Sequence, residues 1–221
     1  MKKYLKYLMN ISGEYESHIG NVFRLSSKHL QSFQPVNLLD VGCGDGGRTL
    51  RLAQHFNIEA VQIYGIDFHK PHVQQCMNQF NAIQADIESG NLPFSNNMFD
   101  VVICNQVFEH LKNYHGVLEN IIRVTKSGGY IMIGIPNLAH LINRLFLLFG
   151  IQPMCIDIHS SHVRGFTHKA FEQTLKLTPG ITYIDCEGSE LIYPLPLHLA
   201  KPLSKMFVGI CAYVCYLVRK E

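Results

Sequence analysis

Within Asp40-Val41-Gly42-Cys43-Gly44-Asp45-Gly46-Gly47 the chain gathers two carboxylates, a thiol and a set of glycines. Glycine removes the side chain that would hold a ligand away from the backbone, so this stretch suits close approach of a bound molecule to main-chain N–H groups. An apolar run over 36–41 leads into it, and Leu50, Leu52, Ala53 and Phe56 follow at helical spacing. Strand, glycine turn and helix in that order predict the nucleotide-binding corner of a doubly wound α/β sheet. Gly42, Gly44 and Gly47 satisfy G-x-G-x-x-G, and Gly42, Gly44 and Gly46 equally satisfy G-x-G-x-G, so the glycines alone leave the nucleotide open. Asp67, about twenty residues further on, stands where a ribose-binding acid belongs in either case.

Charge separates the alternatives. A pyrophosphate at a helix N-terminus wants bare N–H groups and no competing anion. Asp40 and Asp45 would set two carboxylates against two phosphates, whereas a sulfonium and an ammonium suit the same field. The expected ligand is therefore S-adenosylmethionine. The blocks that follow agree: Tyr64-Gly65-Ile66-Asp67, Ala85-Asp86-Ile87, Leu92-Pro93-Phe94, Phe99-Asp100-Val101-Val102, Val107-Phe108-Glu109-His110-Leu111, Gly128-Gly129-Tyr130 and Ile135-Pro136-Asn137. In this order the set resembles the class I S-adenosylmethionine-dependent methyltransferases, type 11 branch, the group that includes ubiquinone and menaquinone methyltransferases.

The resemblance implies a seven-stranded Rossmann-like sheet with its last strand antiparallel and helices on both faces. It implies a donor site made of Asp40, Gly42, Cys43, Gly44, Gly46, Asp67, Phe68, Asp86, Ile87 and Asn105. Asp67 would take the ribose hydroxyls, Asp86 or the next N–H the adenine edge, and Asn105 would border the methionine moiety. The competing role for Asp67 is to cap the helix that begins near Lys70 and Pro71. His110 and Glu109 are candidates for handling an acceptor proton, since an imidazole titrates near working pH; the alternative for His110 is helix packing. His162 and Arg164 lie in a segment resembling the part of these enzymes that closes over the acceptor, where they would meet a polar or anionic group or simply hold the loop. Gly165 stands where the family often carries an aromatic residue. Cys155, Asp157, His159, His162 and His168 match no established metal spacing, and the sulfonium already activates its leaving group, so no metal is expected.

Stepping outward, helical residues 3–33 would cover the donor, with Tyr15 and His18 as candidates to face it. Residues 1–35 form this cover and 36–221 the methyltransferase domain, a single domain overall. Strands are expected at 36–41, 60–66, 83–85, 99–104 and 130–135, and a helix at 114–126. An amphipathic helix over 138–149, with Asn143 and Arg144 interrupting its apolar face, is expected by default to pack on the sheet, with lining an acceptor pocket or lying on a membrane surface as the alternatives. It opens an acceptor-side segment of about 138–168. Thr167 would cap a helix at 169–177, and two strands near 181–186 and 210–218 flank an insertion at 194–207. The uncharged run 206–218 reads as one buried strand, with a membrane-dipping hairpin as the alternative.

At 221 residues the chain suffices for one domain with an ample core. Nineteen Lys and Arg against 17 Asp and Glu leave no basic surface for nucleic acid. Seven cysteines without a C-x-x-C pair suit a reducing cytoplasm. The first residues read as neither signal peptide nor spanning segment. The expected partner is a small-molecule or lipid-like methyl acceptor, with weak peripheral membrane contact left open and the oligomeric state unread. Two other functions compete: an NAD-dependent oxidoreductase using the same loop, and a non-catalytic S-adenosylmethionine-binding protein.

Overall fold

The computed structural model describes residues 18–190, 203–204 and 206–221. Seven strands form one sheet: β1 (Leu38–Val41), β2 (Ile63–Asp67), β3 (Asn81–Gln84), β4 (Phe99–Asn105), β5 (Thr125–Pro136), β6 (Ile181–Ser189) and β7 (Tyr213–Lys220). Their spatial order is β3-β2-β1-β4-β5-β7-β6. The first five run parallel, and β7 pairs antiparallel with both β5 and β6. From β1 the chain builds outward through β2 and β3, then returns to place β4 on the other side of β1. The loops that leave β1 and β4 therefore part at the carboxyl edge of the sheet, the switch point where such folds take ligands.

Strand side chains alternate between faces. Leu39, Val41, Val102, Cys104, Ile131 and Ile133 belong to one core, while Leu38, Val101, Ile103, Met132 and Leu217 belong to a second. Burial of each such aliphatic side chain contributes roughly 1.5–3 kcal/mol, so sequences apolar on both faces are held in the middle of the sheet. Helices α4 (Tyr114–Val124) and α6 (His168–Leu177) supply the first core through Leu118, Ile121, Phe171 and Leu175. Helices α1 (His18–His29), α2 (Gly47–Phe56) and α3 (Lys70–Cys76) supply the second through Val22, Leu25, Leu52 and Val73.

Polar clamps fix the edges. Both carboxylate oxygens of Asp100 accept from Lys126 Nζ, at 2.8 and 2.9 Å, and Oδ2 also accepts the N–H groups of Val36 and Asn37. It ties the entries of β1, β4 and β5 at the end of the sheet away from the ligand edge. On α1, Asn21 donates to Ser189 Oγ at 3.1 Å, Arg24 meets Glu187 at 3.3 Å, and Lys28 and His29 share Asp185.

Several boundaries differ from the sequence expectation. Ala60–Gln62 is a 3-10 turn, so β2 begins only at Ile63. The run 206–218 is not one buried strand: Val208–Ile210 is a 3-10 turn, Met206 and Phe207 are exposed, and pairing begins at Tyr213. Gly209 and Cys211 carbonyls there accept from Asn137 instead of from a strand. Helix α5 is Leu141–Leu148, shorter than 138–149, and does not pack as an ordinary amphipathic helix. Its Asn143 is buried, bonding Met154 N–H and Cys155, while Leu148 and Phe149 are 75% and 74% exposed. Tyr15, the rest of the helix expected before His18 and most of the insertion at 194–207 lie outside the described residues, as does the side chain of His18.

Candidate donor and acceptor site

The loop after β1 is shaped by its neighbours. Gly42 and Cys43 N–H both donate to the Ile66 carbonyl, at 2.8 and 3.2 Å, which ties the loop to the end of β2. Gly42 has φ +80°, and a Cβ there would collide with the Val107 side chain, so no other residue fits this turn. Gly46, also at positive φ, sits against Cys76 and Phe80 beneath the loop and lines neither of the cavities described below. Asp45 Oδ1 accepts Gly47 N–H at 3.1 Å and so begins α2.

Asp67 ends β2 with its carboxylate under the loop. Oδ2 accepts Gly44 N–H at 2.9 Å and Oδ1 accepts His69 N–H at 2.8 Å. The second bond forms a turn ahead of α3, whose N-cap is His69 with no side-chain cap bond, so Asp67 does not take the helix-capping role weighed against ribose binding. A carboxylate offers about four lone-pair sites, so two remain for further donors. Asp67 lines a cleft of about 680 Å³ together with Gly42, Gly44, Phe68, Asp86, Ile87 and His110, a size typical of small-molecule sites at roughly 300–1,000 Å³. Asp86 Oδ1 accepts Glu88 N–H at 2.9 Å, which turns the loop after β3 toward that cleft.

Asp40, Cys43 and Asn105 line a second compartment on the other side of Gly42, of only about 10 Å³, room for about one water, closed by Ile19 of α1, Arg48, Leu52 and Ile103. Asp40 is 5% exposed and accepts from Thr49 Oγ1 at 2.6 Å. Burial pushes its carboxyl up to about 6, with the Asp67 charge adding to the effect and the Thr49 hydroxyl and Arg48 opposing it. Asn105 is the less usual partner: both its amide nitrogen and its amide oxygen are buried with no hydrogen bond among the described residues. A buried amide left unmatched costs about 1–3 kcal/mol. Burial also raises the Cys43 thiol, which makes it a packing residue in its neutral form.

The other wall is built by the 3-10 turn Phe108–His110 after β4. Residues 161–164 fold back over it, with Val163 and Arg164 N–H both donating to the Glu109 carbonyl, at 2.9 and 3.2 Å. Glu109 is 1% exposed, and burial pushes its carboxyl up to about 7. His110 is exposed on the cleft; its partial burial and the nearby His162 lower its pKa, against the Ser161 carbonyl. The His110 and His162 rings stand edge to face with centroids 4.7 Å apart. Arg164 does not join them: its guanidinium donates to the Lys112 carbonyl at 2.9 Å and lies over the Tyr114 ring. Of Cys155, Asp157, His159, His162 and His168, only His162 reaches this cluster; His168 lies against Tyr216.

Three contributors were not singled out from sequence. Gln106 takes φ +61° at the lip of the cleft, and its buried Nε2 has no partner among the described residues. Ser161 lines the same cleft and holds His110 Nδ1. Asn137, 1% exposed, accepts from Ala139 and His168 N–H and donates to the Gly209 and Cys211 carbonyls, joining three segments behind the wall. A Pro-Asn pair closing a strand signals such a turn-forming amide, though not its long-range partners.

Comparison with known proteins follows the same outline. The family described as a methyltransferase domain, type 11, matches residues 39–133. A ubiquinone biosynthesis O-methyltransferase of Rickettsia canadensis is 31% identical over 114 residues, 50% of this chain and 47% of that protein. An uncharacterized protein of Methanocaldococcus jannaschii is 31% identical over 164 residues, 74% of this chain and 68% of that protein. The chain spans about half the length of the ubiquinone-biosynthesis relatives it matches. Among solved structures, a SAM-dependent methyltransferase of Archaeoglobus fulgidus aligns with a TM-score of 0.61 at 17% identity, covering 98% of this chain and 99% of that one; this likeness is one of fold.

Proposed function

This chain belongs to the class I S-adenosylmethionine-dependent methyltransferases, type 11 branch, and from that premise we propose that it transfers a methyl group from S-adenosylmethionine to a small-molecule or lipid-type acceptor. The observation that carries the reading is the cleft of about 680 Å³ in which Gly42, Gly44, Asp67 and Asp86 meet at the carboxyl edge of the sheet. Asp40 and the unmatched amide of Asn105 lie across Gly42 from it, at a spot with room for about one water, so the amino-acid end of the donor would have to part these walls to reach them. On the other side of Gly42, the open space above Gly44 suits the sugar and base.

Asp67 would receive the ribose hydroxyls on the lone pairs that Gly44 and His69 leave free, a charge-assisted contact. Asp86 and Ile87 would bracket the adenine, and Phe68, exposed at the mouth, would cover it. When bound, the donor's sulfonium supplies the activated methyl. The protein's part is alignment: a fixed loop, a closed rear wall and an acceptor held in line with the methyl, which can lower the barrier by several kcal/mol. Glu109 and His110 stand at the acceptor side of the cleft, where an imidazole can take the proton of a hydroxyl as the methyl arrives.

The acceptor class draws on two supports. Relatives include proteins named for ubiquinone biosynthesis and for phthiotriol dimycocerosates methylation. Within the segment 138–168, Leu145, Leu147, Leu148, Phe149, Ile151 and Ile158 are all exposed, a concentration of apolar side chains along the chain that suits an apolar acceptor. Among the described residues, no helix is long and apolar enough to cross a membrane. Domain limits, with 1–35 as cover and 138–168 as acceptor wall, and a cytoplasmic location belong to the same proposal. The test is incubation with methyl-labelled S-adenosylmethionine and fractionated lipid and metabolite extracts. Release of S-adenosylhomocysteine together with label in one fraction is expected. Donor binding with no transfer to any fraction would favour the non-catalytic alternative.

A further inference from the structure

Two buried cysteines that the transfer chemistry does not use meet under the glycine loop. Cys43 belongs to the loop itself, and Cys76 closes α3. Cys76 Sγ donates to the Gly44 carbonyl at 3.3 Å, and Cys43 Sγ lies 3.9 Å from the same oxygen. Glycines leave the room that the sulfurs occupy. A Cβ at Gly65 of β2 would stand 2.8 Å from Cys43 Sγ, and one at Gly46 would stand 2.8 Å from Cys76 Sγ. The Phe80 ring borders both positions, so the two thiols share one slot. They also hydrogen-bond each other. Burial raises both above the usual thiol range, while their mutual bond raises Cys43 further and lowers Cys76, which leaves Cys76 as the sulfur that ionises first.

We propose that Cys43 and Cys76 are an oxidative modification site, a dithiol that a hydroperoxide closes to a reversible disulfide, pulling the donor loop toward α3. The Cys76 sulfur, as thiolate, attacks one peroxide oxygen; the O–O bond breaks, water leaves, and Cys76 becomes a sulfenic acid. The Cys43 sulfur then displaces that hydroxyl group, which leaves as a second water as the S–S bond forms. Each sulfur gives up one electron, hydrogen peroxide accepts both, and the two thiol protons end in the waters. Because the resting thiols are buried and neutral, the reaction is slow and waits on local opening of the loop. A search for C-x-x-C spacing misses the pair, since it is the fold that brings the loop after β1 over the end of α3. Gly44 transmits the effect: its N–H donates to Asp67 Oδ2 at 2.9 Å, and its carbonyl takes the Cys76 hydrogen that oxidation removes. Closing the bond also draws Cys43 away from the second compartment, which it lines. Weaker donor binding is the expected result. That consequence rests on the methyltransferase reading, whereas the cross-link itself does not.

The experiment treats the intact protein with graded hydrogen peroxide, blocks the remaining thiols by alkylation and maps its peptides without reduction. A peptide pair joined through Cys43 and Cys76, and released by dithiothreitol, is expected. Calorimetric titration of S-adenosylhomocysteine should show affinity about tenfold lower in the oxidised protein, restored on reduction. Cys76→Ser should bind S-adenosylhomocysteine as the reduced wild type does and keep that affinity through peroxide treatment. Thermal melting verifies its folding, and Cys76→Ala takes its place should the serine hydroxyl unsettle the slot. Cys155→Ser, which removes a thiol of the segment 138–168, should leave the cross-link intact. Absence of the joined peptides at every peroxide concentration would overturn the site. So would a cross-link that leaves affinity unchanged, or a peroxide-dependent loss of affinity that persists in Cys76→Ser. Should the reduced protein bind no S-adenosylhomocysteine, the donor reading fails, while the peptide map still decides the cross-link.

Discussion

Asn105 shows how a single side chain can be kept at a cost to the fold. Its amide is buried and unmatched, against Gly134, whose lack of a side chain leaves the room it occupies. Removing a polar group that has no partner forfeits no hydrogen bond, so Asn105→Ala is expected to hold or raise the thermal midpoint. The same change should weaken S-adenosylhomocysteine binding about tenfold, or about 1.4 kcal/mol. Melting and calorimetry on one variant check both halves; a fall in stability with unchanged affinity would make Asn105 a packing residue. The glycine loop and the strand-end acids of the candidate donor site were legible residue by residue, because they are read from adjacent positions. Glu109 and His110 were legible as a pair for the same reason. Their meeting with His162 was not, since it depends on how residues 161–164 fold over a turn some fifty positions earlier.

Among the elements, the central strands were legible because both their faces are buried and their sequences are apolar throughout. Their ends were less so, because hydrogen bonds from outside the local sequence set them. Asp100 is the example at the entry end. Burial would raise its carboxyl, but Lys126 and the Asn37 and Val36 N–H groups outweigh burial and hold it below the ordinary range. A carboxyl held below its unfolded value contributes stability above that value and loses it as pH falls through the folded one. Asp100→Asn should therefore cost about 1–2 kcal/mol at neutral pH. The gap from wild type should close as acid protonates the native carboxyl, in the range below its unfolded value of 3.8. Denaturant unfolding at several pH values measures this directly, and a gap independent of pH would remove the ion pair from the account. Helix α5 was misjudged as an ordinary packing helix for a related reason. Periodicity reports an apolar face, but it cannot report whether the protein covers that face. Here Asn143 and Arg144, which look like interruptions, are the residues that attach the helix, bonding Met154, Ala139 and Gly209, while Leu147, Leu148 and Phe149 remain outside.

At the scale of the whole molecule, the reversal of strand order beside β1 creates the cleft, and everything assigned to function stands on its two banks. The glycine loop and Asp67 form one bank; the turn after β4 and the segment 161–164 form the other. The two loops part there because β2 and β4 flank β1 on opposite sides, a property of topology that the order of sequence blocks foreshadowed. The acids that speak for a sulfonium donor against a pyrophosphate cofactor are Asp40 and Asp45 at the glycine loop, whereas Asp67 suits the ribose of either. The most direct measurement is calorimetric titration of S-adenosylhomocysteine and, separately, NADH into the intact protein. The account predicts a single saturable S-adenosylhomocysteine site and no NADH binding. NADH binding without any response to S-adenosylhomocysteine would contradict it.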